Sequence, residues 1–152
     1  MTTITQSTDV SLPTVHSIKR SITRHIPTAA RWLLGLAFLV FGLNYFLNFL
    51  PAPTEAMPDA AMAFFGGLLK TGYMFPLIKG TEVAVGLALV TNRLVPLALV
   101  VLAPVLVNIV LVHTFLVSSG TGIVLILLAL TLYLAWVHRA AYRPLLAFRT
   151  AR

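Results

Sequence analysis

Two charged residues stand one helical turn apart inside an apolar run, Lys79 and Glu82 in YMFPLIKGTEVAVGLALVTNR, residues 73–93. That run is long enough to cross a bilayer. A charge at membrane depth is costly, so it is kept when it is paired, lines a wet cavity, or does chemical work. Four further polar residues sit in apolar surroundings: Asn44, Asn48, Asn108 and His113. Glu82 with His113 has the makings of a proton relay or general base, with Lys79 beside Glu82 at i−3. These three are the catalytic candidates. Asn44, Asn48 and Asn108 offer amides that can hold the carbonyls or hydroxyls of a quinone or another small ligand, and are the binding candidates. A plainer reading stands beside this one. Lys79 then only neutralises Glu82, and the asparagines are interhelical hydrogen-bond glue.

Other chemistries find little support. One His and one Glu on neighbouring segments do not supply the three or four ligands of a metal site. His16, His25 and His138 fall at the opposite side from His113, which removes bis-histidine haem ligation. There is no cysteine, hence no thiolate, disulfide or iron–sulfur chemistry. No phosphate-binding or dinucleotide fingerprint is present, and GTGI at 120–123 reads as a turn. No separate domain for ATP-driven work is expected within these residues.

The elements that must position these residues are membrane helices. Of 152 residues, 59% are hydrophobic and 10% charged, against about 25% charged in soluble domains. Mean hydropathy is +0.94. The net charge of +7 resembles a nucleic-acid signal, but the basic residues flank hydrophobic runs, as membrane topology requires.

Residues 1–14 are expected to be a disordered polar tail, and 15–26 a basic amphipathic helix on an anionic membrane surface. The first span is Trp32 to Leu50, closed by Pro51 and Pro53, with Trp32, Tyr45, Phe46 and Phe49 as interface residues. No small-residue cleavage site marks it as a signal peptide. Residues 60–72 are too short to span and are read as an interfacial or re-entrant helix, with Thr54, Glu55 and Asp59 able to cap it. Further spans run from Tyr73 to Thr91, Leu94 to Val117 (kinked at Pro104) and Ile123 to Val137. The expected fold is all-α, an integral membrane four-helix antiparallel bundle with one extra short helix. The divisions are 1–30, a cytoplasmic tail with the amphipathic segment; 31–138, the transmembrane domain; and 139–152, a basic cytoplasmic tail.

With four spans, Lys19, Arg20, Arg24, Arg31, Arg93, Arg139, Arg143, Arg149 and Arg152 share one side, which puts both termini in the cytoplasm. Counting along each helix then gives depths. Asn44 lies about 18 Å along the outward first span, Glu82 about 14 Å from the outer end of the second, and His113 about 28 Å along the third. All six polar residues fall in the outer half. They imply a pocket formed by the first three spans and opening outward.

The strings RWLLGLAFLVFGLNYFLNFLP at 31–51, TGYMFPLIKGTEVAVGLALVTNRLVPLALVVLAPVLVNIVLVHTFL at 71–116 and LYLAW at 132–136 resemble the DoxX-like family of small bacterial membrane proteins. The resemblance covers about residues 31–145. It implies a four-helix inner-membrane protein, in a family named for a subunit associated with quinol oxidase and thiosulfate:quinone oxidoreductase activity. Asn44, Glu82, Asn108 and His113 match that pattern's polar core. The implied function is a quinone- or hydrophobic-ligand-binding subunit of an envelope redox system. Without cysteine, any sulfur-oxidising centre belongs to a partner. The alternatives are a non-catalytic scaffold or assembly factor, and a small transport module acting as a homo-oligomer. The expected partners are the lipid membrane and a membrane or periplasmic redox protein, with no nucleic acid.

Overall fold

The computed structural model describes residues 15–51, 56–117 and 119–146, with the side chains of 15–24 and 145–146 outside that description. The polar tail, Thr54, Glu55, Arg149 and Arg152 lie outside the described residues. All regular structure among the described residues is helical: α1 (Val15–Leu47), α2 (Asp59–Lys70), α3 (Met74–Val90), α4 (Val95–Phe115), α5 (Thr121–Val137) and α6 (Arg139–Tyr142), with a 3₁₀ turn at Arg143–Leu146.

Helix α1 has 33 residues, about 50 Å at 1.5 Å per residue. No break separates the amphipathic segment from the first apolar run, and the helix continues through Pro27. It ends at Leu47, ahead of the prolines expected to stop it. Asn48 takes a left-handed conformation (φ 50°), and its N–H donates to the Asn44 carbonyl at 2.8 Å. The Leu50 N–H donates to Asn44 Oδ1 at 2.7 Å. Asparagine tolerates this left-handed turn better than most side chains.

The most extensive interface joins α1 to α3, and glycines make it. A Cβ built on Gly86 would lie 2.6 Å from the Leu39 nitrogen and 2.8 Å from the Gly35 oxygen. Backbone therefore rests on backbone, as small residues permit where membrane helices pack. Gly35 meets Leu89 and Val90, whereas Gly42 meets Glu82 and Val83. The two helices thus run in opposite directions. Helix α4 packs on α3 and α5, and α5 also contacts α1, closing a ring of neighbours around Leu34, Leu89, Leu102, Leu106 and Leu134.

Helix α2 turns into α3 through a bend of 91°. Gly72 takes φ 73° there, and Thr71 Oγ1 donates to Leu68 O at 2.7 Å while accepting from Met74 N–H at 3.1 Å. Asp59 occupies the first turn of α2 and makes no capping hydrogen bond. Between α3 and α4 the turn is tight, with Asn92 (φ 58°) and Leu94 (φ 52°) left-handed. Helix α4 runs through Pro104 as one element.

Two helices, His25–Leu47 and Val95–Phe115, are long and apolar enough to cross a membrane, and the bent α2–α3 pair is a third if taken as one span. Helix α5 is apolar but has only 17 residues, about 26 Å, short of a hydrocarbon core of about 30 Å. The outer surface carries Leu33, Leu77, Leu97, Phe115, Ile126, Leu132 and Trp136, all exposed. Apolar surface on this scale suits lipid contact.

Arg31 is not a freely solvated flank. It is buried, and its guanidinium donates to the carbonyls of Leu89 and Val90 at the end of α3. A cation there completes orphan carbonyls and complements the helix dipole.

Candidate functional site

One cavity of about 590 Å³ gathers Asn44, Asn48, Lys79, Glu82, Asn108 and His113 on its wall. The convergence follows from the helix ends. Asn44 and Asn48 stand at the close of α1, Lys79 and Glu82 in the first half of α3, and Asn108 and His113 in the last part of α4. The beginning of α5 completes the ring with Gly120, Ile123, Val124 and Leu127.

Lys79 Nζ donates to both carboxylate oxygens of Glu82, at 3.0 and 2.9 Å. Glu82 is 2% exposed, whereas the Lys79 side chain is 23% exposed. The carboxylate is therefore enclosed and the ammonium lies nearer the opening. Among the described residues Lys79 is Glu82's only side-chain partner, and His113 makes no hydrogen bond to it. The two share the cavity without forming a direct relay.

His113 Nδ1 instead lies 2.9 Å from the Ile109 carbonyl oxygen. A carbonyl only accepts, so Nδ1 carries the proton, and in the neutral ring Nε2 is an acceptor. Asn44 is fixed by the same reasoning. Its Oδ1 accepts from Leu50 N–H, which leaves its NH₂ group free to donate. Asn48 is exposed and serves the backbone turn that ends α1. Asn108 is half-buried, and its amide makes no hydrogen bond among the described residues.

The rest of the wall is apolar and aromatic, from Phe38, Phe41, Phe65 and Phe75 to Tyr45. Tyr45 stacks on Phe75 at 5.7 Å, and Phe65 lies 6.1 Å from Phe75. Tyr45 is thus a cavity residue, where its position near the helix end had suggested an interface belt. Tyr73, by contrast, is 61% exposed. The pocket also draws on α2 (Phe65, Leu68) and α5, beyond the three spans expected to form it. A signal for part of this wall exists in the sequence. Phe38, Phe41 and Tyr45 fall at i, i+3 and i+7, on one face with Asn44 and Asn48. Nothing comparable marks Phe65, which enters only through the bend after α2.

The arrangement is an apolar, ring-lined chamber with a closed ion pair and a few directed hydrogen-bonding groups. That combination suits a small molecule with a hydrophobic body and a polar head. Comparison of the chain with models of known protein families, with curated proteins and with solved structures finds no match in any of the three.

Proposed function

We propose that this chain is a membrane protein that binds a small amphipathic ligand in the cavity, as a subunit of a redox system in a bacterial inner membrane. The observation that carries the reading is the convergence of six polar residues from three helices on one otherwise apolar cavity. The resemblance to DoxX-like proteins points the same way. In this reading α1, α3, α4 and α5 all cross the membrane as an antiparallel bundle. Helix α2 lies at the outer surface, and both termini are cytoplasmic. A quinone in its reduced, hydroxyl-bearing form fits the class of ligand, since its oxygens can also take donors and the Asn44 NH₂ and Asn108 amide provide them. Lys79 and Glu82 keep a neutralised, polar wall beside the head. Any electron donor is supplied by a partner.

The test is native mass spectrometry with lipid extraction, on protein purified in mild detergent. Wild type should retain a hydrophobic small molecule. E82Q should lose it, and so should A37W, which fills the cavity from α1. A wild-type protein that carries no ligand, with unchanged fold and oligomeric mass, overturns the reading.

One observation favours a second reading, a scaffold without chemistry. Both oxygens of Glu82 are already bound by Lys79, and Asn44 caps its own helix, so part of the polar set has structural employment.

A further inference from the structure

We infer that the cavity selects a neutral amphiphile whose head carries a hydroxyl, and that Nε2 of His113 is the atom that reads it. This rests on the cavity being a ligand site, and it adds the hydrogen-bonding polarity of the head.

The argument comes from which groups are already engaged. The strongest acceptor on the wall, the Glu82 carboxylate, has both oxygens on Lys79. The Asn44 oxygen is held by Leu50 N–H. The Asn108 amide is unengaged among the described residues and can turn either its oxygen or its NH₂ to a ligand, so it does not by itself demand a donor. The His113 Nδ1 proton is directed at the Ile109 carbonyl, so in the neutral ring the remaining nitrogen, Nε2, is the acceptor, with no partner among the described residues. That edge of the ring lies beside a glycine, which adds no side chain to cover it. A Cβ built on Gly120, itself a cavity residue, would stand 3.6 Å from both Nε2 and Cδ2 of His113.

An acceptor on an apolar wall is costly to cover without a donor. A ligand head made only of ketones, ethers or esters leaves Nε2 unmatched. An anionic head meets a lone pair there, with the nearby ammonium already neutralised by Glu82. A hydroxyl satisfies it, and an adjacent carbonyl or ring oxygen can take the Asn44 NH₂. Tyr45 stacked on Phe75, with Phe65 tilted at 47° beside Phe75, gives an aromatic wall against which a flat ring can lie, which makes a phenol the simplest such head.

The experiment uses two probes that differ by one donor, nonyl 4-hydroxybenzoate and nonyl 4-methoxybenzoate. Binding is measured calorimetrically with the full chain in nanodiscs, corrected for partition into empty discs. Wild type should bind the phenol about tenfold more tightly than the ether. H113F should bind both alike, at the level of the ether. H113Q, which keeps an acceptor in reach, should retain a preference. A37W should lose both probes. Equal binding of the two probes by wild type, with both lost in A37W, overturns the hydroxyl inference and leaves the cavity as a ligand site. A preference that survives in H113F overturns the role of His113. If neither probe binds wild type, the inference falls together with the reading it rests on.

Discussion

Lys79 grips both oxygens of Glu82 across one turn of α3, at 2.9 and 3.0 Å, while Glu82 is 2% exposed. An enclosed carboxylate left without its cation is costly, by about 3–5 kcal/mol when one partner of a buried pair is removed. K79M should therefore lower stability by about that amount, discounted for the partial exposure of the lysine. E82Q should cost less, because no bare charge stays behind. The double variant K79M/E82Q should recover most of the loss. Unfolding in detergent by a thermal or denaturant ramp gives the cycle, and simple additivity of the two losses would refute the pairing.

The α1–α3 crossing makes a sharper prediction. G86A places a methyl 2.6 Å from a backbone nitrogen, so the helices must separate along their main interface. We expect a loss of about 2 kcal/mol or more, in the range of overpacking. Gly80 lies in the same helix with nothing within 4 Å of its built Cβ. G80A should leave stability unchanged or raise it by about 0.5–1 kcal/mol. Melting curves of the two variants side by side suffice, and equal losses would contradict the packing.

Arg31 holds two carbonyls at the end of α3. R31M removes charged hydrogen bonds from a buried place and should cost about 1.5–3 kcal/mol. R31K keeps the charge but loses the forked geometry and should fall between. Hydrogen exchange at the last turn of α3 should quicken in R31M. Exchange unchanged there would mean that the contact does not hold that turn.

Asn44 has two jobs that one substitution can separate. N44D keeps an oxygen for the Leu50 N–H and so preserves the helix end. It removes the NH₂ donor from the cavity and adds a charge to its wall. We expect a folded protein that loses retained ligand in native mass spectrometry. N44L should lose both the cap, worth about 1 kcal/mol, and the ligand. A folded N44D that still carries ligand would show that the amide donor is dispensable.

Part of the cavity's lining was legible because helical rise converts sequence position into depth. Counting from the ends of the apolar runs put Asn44, Glu82 and His113 in the same half of the bundle, and the cavity has all three on its wall. Direct pairing of Glu82 with His113 was not legible, since it depends on rotation about each helix axis. The structure gives His113 an intrahelical carbonyl instead. Arg31 was read as a topology marker because a flanking arginine and a buried capping arginine look alike until a partner helix arrives. The role of Gly86 was hidden for the same reason. The early stop of α1 was signalled by Asn48, but Pro51 three residues later is the louder breaker. Which apolar helices cross the membrane is only partly decided by length, as the 17 residues of α5 show.

The unbroken course of α1 joins two distant places in one helix. Its basic beginning and its last turn, where Asn44 and Asn48 border the cavity, are about 50 Å apart on a single rod, with Pro27 the natural place for that rod to flex. A swing or roll at one end is felt at the other, scaled by the lever arm on each side of the proline. A spectroscopic label near Val15 is therefore a remote gauge of the cavity wall, set far along the same helix and without touching the site.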